Sequence, residues 1–198
     1  MQHLRFRKFR SGVTLVEMLI GVAVVGVVLA VAIPSLTGLI ERRRVVAAAG
    51  EIASFFAQAS AESAVTKAKI SLHLEPVPTA VGDFSCIRMS SHSQFDFCTC
   101  DRVATKLCSF GYGRLLREYL LPRSTSVRFD VNEAALWGFD KYMVTFDRGT
   151  FQTDVSDVFV KVTGVRTGAL LHVEYNQAGR VRTCSPDGSI GGFPPCEK

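Results

Sequence analysis

Between Val13 and Ile40 the chain carries a single charged side chain, Glu17, and from Met18 to Ile33 every residue is apolar or glycine. Such a run, with its flanks, is long enough to span a bilayer as one helix. Four cations, Arg5, Arg7, Lys8 and Arg10, precede it, with no acid among them, and that cluster holds the leading end in the cytoplasm. Two ordinary readings fit the hydropathy: an uncleaved membrane anchor, and a secretory signal cut after Ala30-Val31-Ala32, which has the A-x-A form. Neither accounts for Glu17. An ionisable group near the start of a spanning helix costs on the order of 2.5–3.5 kcal/mol on insertion scales unless a partner neutralises it.

Ser11-Gly12-Val13-Thr14-Leu15-Val16-Glu17 resembles the processing motif of type IV prepilins, and Pro34 stands where that family has a proline. The departure is Val13, where phenylalanine is commoner. The resemblance implies that a membrane prepilin peptidase cuts after Gly12 and methylates the new amine of Val13. It also implies that Glu17 neutralises the amine of a neighbouring subunit during assembly. A carboxylate and an ammonium, each costly in hydrocarbon, are tolerable there as a pair. Pro34 lacks an amide hydrogen and is expected to kink or loosen the helix around Ala30 to Ile33.

The formal net charge of +5 suggests a polyanion partner until the leader is removed, which leaves 5 − 4 = +1. Any nucleic-acid reading must therefore rest on a local patch. With 198 residues, 47% of them hydrophobic and 21% charged, one globular domain plus an appendage is expected.

The expected organisation is a leader at 1–12, a long helix at 13–68 that is membrane-spanning over 13–40 and amphipathic over 41–68, and a β-rich periplasmic head at 69–198. Beyond Ile40, Val45, Ala48, Ala49, Ile52, Phe55, Phe56 and Ala59 recur at three- and four-residue spacing, one face of a helix that continues to about Thr66. Arg42 to Arg44 read as interfacial or solvated. Strand alternation appears in Ile70 to Leu74, Val127 to Val131, Tyr142 to Phe146, Val158 to Val162 and Leu170 to Tyr175. Asp147-Arg148-Gly149, Thr163-Gly164 and Asn176-Gln177-Ala178-Gly179 supply the turns. Leu115 to Leu121 has a helical period instead. The fold class expected is α+β, type IV pilin-like, with the long helix packed on a mostly antiparallel head.

Within the pilins the head resembles the GspH/FimT-like minor pilin (pseudopilin) group. The resemblance lies in the alanine-rich stem end Ala57 to Thr66, in Trp137-Gly138-Phe139 to Phe146, and in Val173-Glu174-Tyr175 followed by Gly179-Arg180-Val181-Arg182-Thr183-Cys184. Asp83 to Gly113 has no counterpart and reads as a Cys-rich insertion. The resemblance implies a minor subunit of a type IV pilus whose Arg180 and Arg182 contact DNA phosphates for uptake, with Lys161, Arg166 and His172 as neighbours. On an extended strand those two arginines would share a face about 6–7 Å apart. The alternative is a structural tip pseudopilin of a type II secretion system. The partners implied are prepilin peptidase, other pilin or pseudopilin subunits, DNA, and the bacterial inner membrane before assembly.

Six cysteines, Cys86, Cys98, Cys100, Cys108, Cys184 and Cys196, all lie beyond the apolar run, and an even count in an exported region reads as disulfides. Cys184 and Cys196 bracket a Gly/Pro-rich terminal loop and are expected to pair. The other four are left open, a four-thiolate zinc site among the options, although their spacing lacks the usual paired knuckles. His3, His73, His92 and His172 have no metal-ligand spacing, and His73 and His172 are expected on solvated strand faces. No nucleophile elbow, phosphate loop or dinucleotide turn occurs, so neither an enzyme nor a cofactor is expected.

Overall fold

The computed structural model describes residues 12–75, 84–92, 98, 100, 108, 113–132, 143–148, 150–152, 157–176 and 179–196. The chain divides into two compact units, Met1–Gly38 and Leu39–Lys198. Thr14 opens the helix α1 (Leu15–Thr66): its Oγ1 accepts the Glu17 amide and its carbonyl the Met18 amide, each at 3.2 Å. A threonine there satisfies a donor that a helix N-terminus leaves over, and an acid in the first turn suits the positive end of the helix dipole. Every Val, Leu, Ile and Met side chain from Val13 to Ile40 is at least 41% exposed. Among the described residues α1 is the one helix long and apolar enough to cross a membrane. It continues through position 34, where proline offers no amide to the Ala30 carbonyl.

In the second unit α1 becomes the spine of a core. Val45, Ala48, Ala49, Ile52, Phe55, Phe56 and Ala59, the stripe expected from spacing, are each no more than 1% exposed. The helix ends where the Thr66 hydroxyl donates to the Glu62 carbonyl at 2.7 Å and Lys67 turns to a left-handed φ of 55°.

The head holds β1 (Lys69–Glu75), β2 (Phe84–His92), β3 (Arg114–Pro122), β4 (Val127–Val131), β5 (Met143–Asp147), β6 (Thr150–Gln152), β7 (Asp157–Gly164), β8 (Leu170–Asn176) and β9 (Val181–Cys184). They form two sheets, β3-β2-β1-β5-β6 and β4-β7-β8-β9, antiparallel at every pairing. The α+β class with a long helix on an antiparallel head is thus the one expected. Tyr175 of β8 joins the layers: its ring stacks on Phe56 of α1 at 5.6 Å and meets Phe146 of β5 edge-on at 5.3 Å.

Two expectations are corrected. Leu115 to Leu121 is not helical but the strand β3, because Arg117 takes an inward slot and hides the two-residue period. Its guanidinium lies 4.3 Å over the Phe55 ring and bonds Glu51, Ser54 and Gln58 of α1. The stretch expected as a Cys-rich insertion contributes β2, an internal strand between β1 and β3. His73 is not on a solvated face: it is 5% exposed, and its Nδ1 accepts the Cys100 amide at 3.1 Å. Strand β1 is covered on both sides, Ile70, Leu72 and Leu74 facing the core, Ser71 and His73 the other way.

Candidate functional site

All six cysteines are oxidised, Cys86 to Cys100, Cys98 to Cys108 and Cys184 to Cys196, with Cα separations of 6.0, 4.0 and 5.0 Å. The 6.0 and 5.0 Å separations fall within the usual disulfide range. Among the described residues, the two places where His, Glu and Cys converge, His73 with Glu75 and Cys100, and His172 with Glu174, Cys184 and Cys196, offer disulfide sulfurs in place of thiolates. This also removes the four-thiolate zinc option.

At the start of α1, Gly12 has open space where a side chain would stand, and Val13 is 64% exposed. Glu17 is exposed in the first helical turn. The leader residues before Gly12 lie outside the described residues, as do His3, Trp137 and the side chains of Pro34 and His92.

The arginine pair lies beyond the turn after β8. Gly179 adopts φ 76°, which glycine tolerates without strain, and its amide donates to the Asn176 carbonyl at 2.9 Å. The Arg180 amide donates to Asn176 Oδ1 at 3.0 Å, and β9 then pairs with β8 so that Arg182 stands opposite Glu174 and Cys184 opposite His172. Arg180 is exposed just before the strand. Arg182 is half-buried, and its Nη2 donates to the Pro195 carbonyl at 3.1 Å, tying the disulfide-closed tail to the sheet. Lys161 faces His172 across β7 and β8, and the His172 ring stacks on Phe159 at 4.9 Å. Burial and the Lys161 charge hold the His172 pKa below its ordinary value, with Asp187 opposing them. Arg166 does not join this group. It belongs to the β7–β8 turn, at the far end of β8 from Arg180, about 20 Å along a strand.

One site escaped the sequence reading. Glu41, 3% exposed, turns into the head, where its Oε1 accepts the Arg166 amide at 2.9 Å, the Thr167 amide at 2.8 Å and the Thr167 hydroxyl at 2.9 Å. Burial alone would raise its pKa, but the bonds from Thr167 and Arg166 and the Arg166 charge outweigh burial and leave it below the ordinary carboxylate value. A Cβ at Gly164 would lie 2.6 Å from that oxygen, so the approach requires glycine. In the sequence Glu41 heads a run of charge, which disguises it. The signal was the Gly-flanked turn Gly164-Val165-Arg166-Thr167-Gly168, a ready supply of backbone amides.

Residues 7–33 match the family model described as the prokaryotic N-terminal methylation motif. Those residues carry the N-terminal methylation motif. The matched span takes in Gly12, Val13 and Glu17 and ends before Pro34. Two crystal structures of the type IV minor pilin FimU of Pseudomonas aeruginosa, strain PAO1, resemble this chain. One has a TM-score of 0.48 at 16% identity, covering 73% of this chain and 90% of that one. The other has a TM-score of 0.45 at 15% identity, covering 69% and 90%. No curated protein sequence matches this chain significantly.

Proposed function

We propose that this chain is a minor pilin-type subunit, cut between Gly12 and Val13 by prepilin peptidase, methylated at Val13 and assembled into a type IV pilus. Residues 13–40 anchor it in the bacterial inner membrane before assembly and the head from residue 69 lies in the periplasm. Glu17 neutralises a neighbour's amine, and Pro34 gives the stem its compliance. One observation carries the reading: the methylation motif over residues 7–33 opens a helix whose Val, Leu, Ile and Met side chains from Val13 to Ile40 are all exposed. Intact mass and N-terminal sequencing after co-expression with a prepilin peptidase test it. A chain beginning at N-methylated Val13 is expected, and one that keeps Met1 or begins at Ile33 refutes it.

In this subunit Arg180 and Arg182 are phosphate contacts for DNA, a reading carried by their two-residue spacing, which on an extended segment puts both side chains on one face. Two such contacts give only weak, steeply salt-dependent binding, so retention needs many copies along a filament. A second reading, a structural tip pseudopilin of a type II secretion system, is favoured by the bond from Arg182 to Pro195 and the acid opposite it, Glu174. Gel shift of the purified protein separates them. Salt-sensitive DNA binding that falls when both arginines become alanine supports the first, and no shift supports the second.

A further inference from the structure

Where α1 enters the head, three separate segments build one basic rim. Arg42, Arg43 and Arg44 occupy a single helical turn, about 5.4 Å of axis. Arg44 Nη1 donates to the Thr125 carbonyl at 3.1 Å, which brings up Arg123 in the 3-10 turn Arg123–Thr125. The Val165 amide donates to the Ser126 carbonyl at 2.8 Å and the Arg166 amide to Glu41 at 2.9 Å, which brings up Val165 and Arg166. All five arginines are exposed, and Val165 is 57% exposed.

Among the described residues of these segments, 41–44, 122–126 and 164–168, Glu41 is the one acid, giving 5 − 1 = +4. Its carboxylate is turned inward onto backbone amides and does not face the rim. The three segments hold no aromatic residue on which a base could stack. Guanidiniums spread round a rim with an apolar tip beside them suit a plane of phosphodiesters more than a single bound anion.

Position selects the source of those phosphates. The apolar run ends at Ile40, one residue before the rim begins. Three arginines at that end, opposite the cluster Arg5, Arg7, Lys8 and Arg10, run against the charge asymmetry that orients such segments, so topology does not explain them. We propose that this rim binds the anionic phospholipid headgroups of the membrane that anchors α1, holding the head against the bilayer before the subunit leaves it. The proposal rests on the membrane-anchored reading given above.

The test compares the full chain in nanodiscs of phosphatidylcholine with discs containing phosphatidylglycerol, following amide hydrogen exchange over residues 123–126 and 164–168. Each arginine near an anionic surface favours contact roughly fivefold. Exchange in both segments is expected to slow at least fivefold in the anionic discs. The slowing should disappear at high salt and in the variant Arg42→Gln, Arg43→Gln, Arg123→Gln, Arg166→Gln. Equal exchange in the two discs, or slowing that survives high salt, overturns the proposal even if the variant misfolds. Slowing reproduced by millimolar inorganic phosphate in phosphatidylcholine discs, or by a duplex oligonucleotide and not by anionic lipid, also overturns it. A chain that enters neither disc overturns the anchor reading and this proposal together, whereas entry into both without lipid-dependent protection defeats this proposal alone.

Discussion

Replacing Glu41 tests the energetic account of the head more directly than any core truncation. Its Oε1 takes three donors while Oε2 is buried without a hydrogen-bond partner among the described residues. In Glu41→Ala those donors lose their acceptor. Each group left unsatisfied costs about 1–3 kcal/mol, but Arg166 is exposed and its amide can turn to water, so roughly two groups count and the loss is about 2–6 kcal/mol. For a domain of this size, at about 2–4 °C per kcal/mol, that lowers Tm by roughly 4–24 °C. Glu41→Gln keeps an acceptor oxygen and loses only the charge assistance, about 1 kcal/mol.

The pH dependence has a definite sign. The folded pKa lies below the ordinary value of 4.5, so the charged form's contribution is complete above pH 4.5 and is lost as pH falls through the folded pKa. The gap between wild type and Glu41→Gln should therefore be constant from pH 7 to 5 and close at lower pH. Gly164→Ala, whose Cβ would press on the same oxygen at 2.6 Å, should cost less in the Glu41→Ala background than in wild type. Thermal unfolding followed by near-UV circular dichroism measures all five proteins: wild type, the three single variants and the Glu41→Ala, Gly164→Ala double variant. A Glu41→Ala Tm within a degree of wild type, or strict additivity with Gly164→Ala, would refute the reasoning.

Three further outcomes are expected. Cys184→Ser with Cys196→Ser opens a loop of sequence separation 12 and should cost about 3 kcal/mol in thermal unfolding, and reductant, which also opens the other two bridges, should cost wild type more than that. His172 should titrate by NMR below 6.5, with Lys161→Met moving its midpoint up and Asp187→Asn moving it down; its neutral folded form means this contribution to stability weakens as pH drops below 6.5. Lys67→Gly removes the left-handed strain at the end of α1 and should raise stability by about 0.5–1 kcal/mol in urea unfolding, whereas Lys67→Val should lower it.

The stem stripe from Val45 to Ala59 was legible because a long helix against a core obeys one period, and every member has a single solvent-free side. Strands β1, β4, β7 and β8 were legible for the same reason at period two. β3 was not, because an arginine lying along Phe55 breaks a hydrophobic alternation while still being packed. β2 was hidden by Ser85, Arg88 and Ser90, buried polar residues on an internal strand, of which Arg88 meets Glu118 at 2.6 Å. The Glu41 contact spans a sequence separation of 125 to Arg166, and no local pattern encodes so distant a partner. The Thr14 cap was readable in principle, since Thr-x-x-Glu before an apolar run is a helix-start signature.

The alternation of the chain between the two sheets has a kinetic consequence. The first three strands build one sheet, β4 goes to the other, β5 and β6 return, and β7 to β9 complete the second. β1 therefore has an open edge until β5 arrives, with Ile70 meeting Phe146 across 76 residues (146 − 70), and β4 waits for β7. Long-range pairings of this kind slow folding and leave strand edges available to other chains in the interval. The head cannot mature from its N-terminus onward, and its first sheet closes only once the chain is available as far as β6 at Gln152.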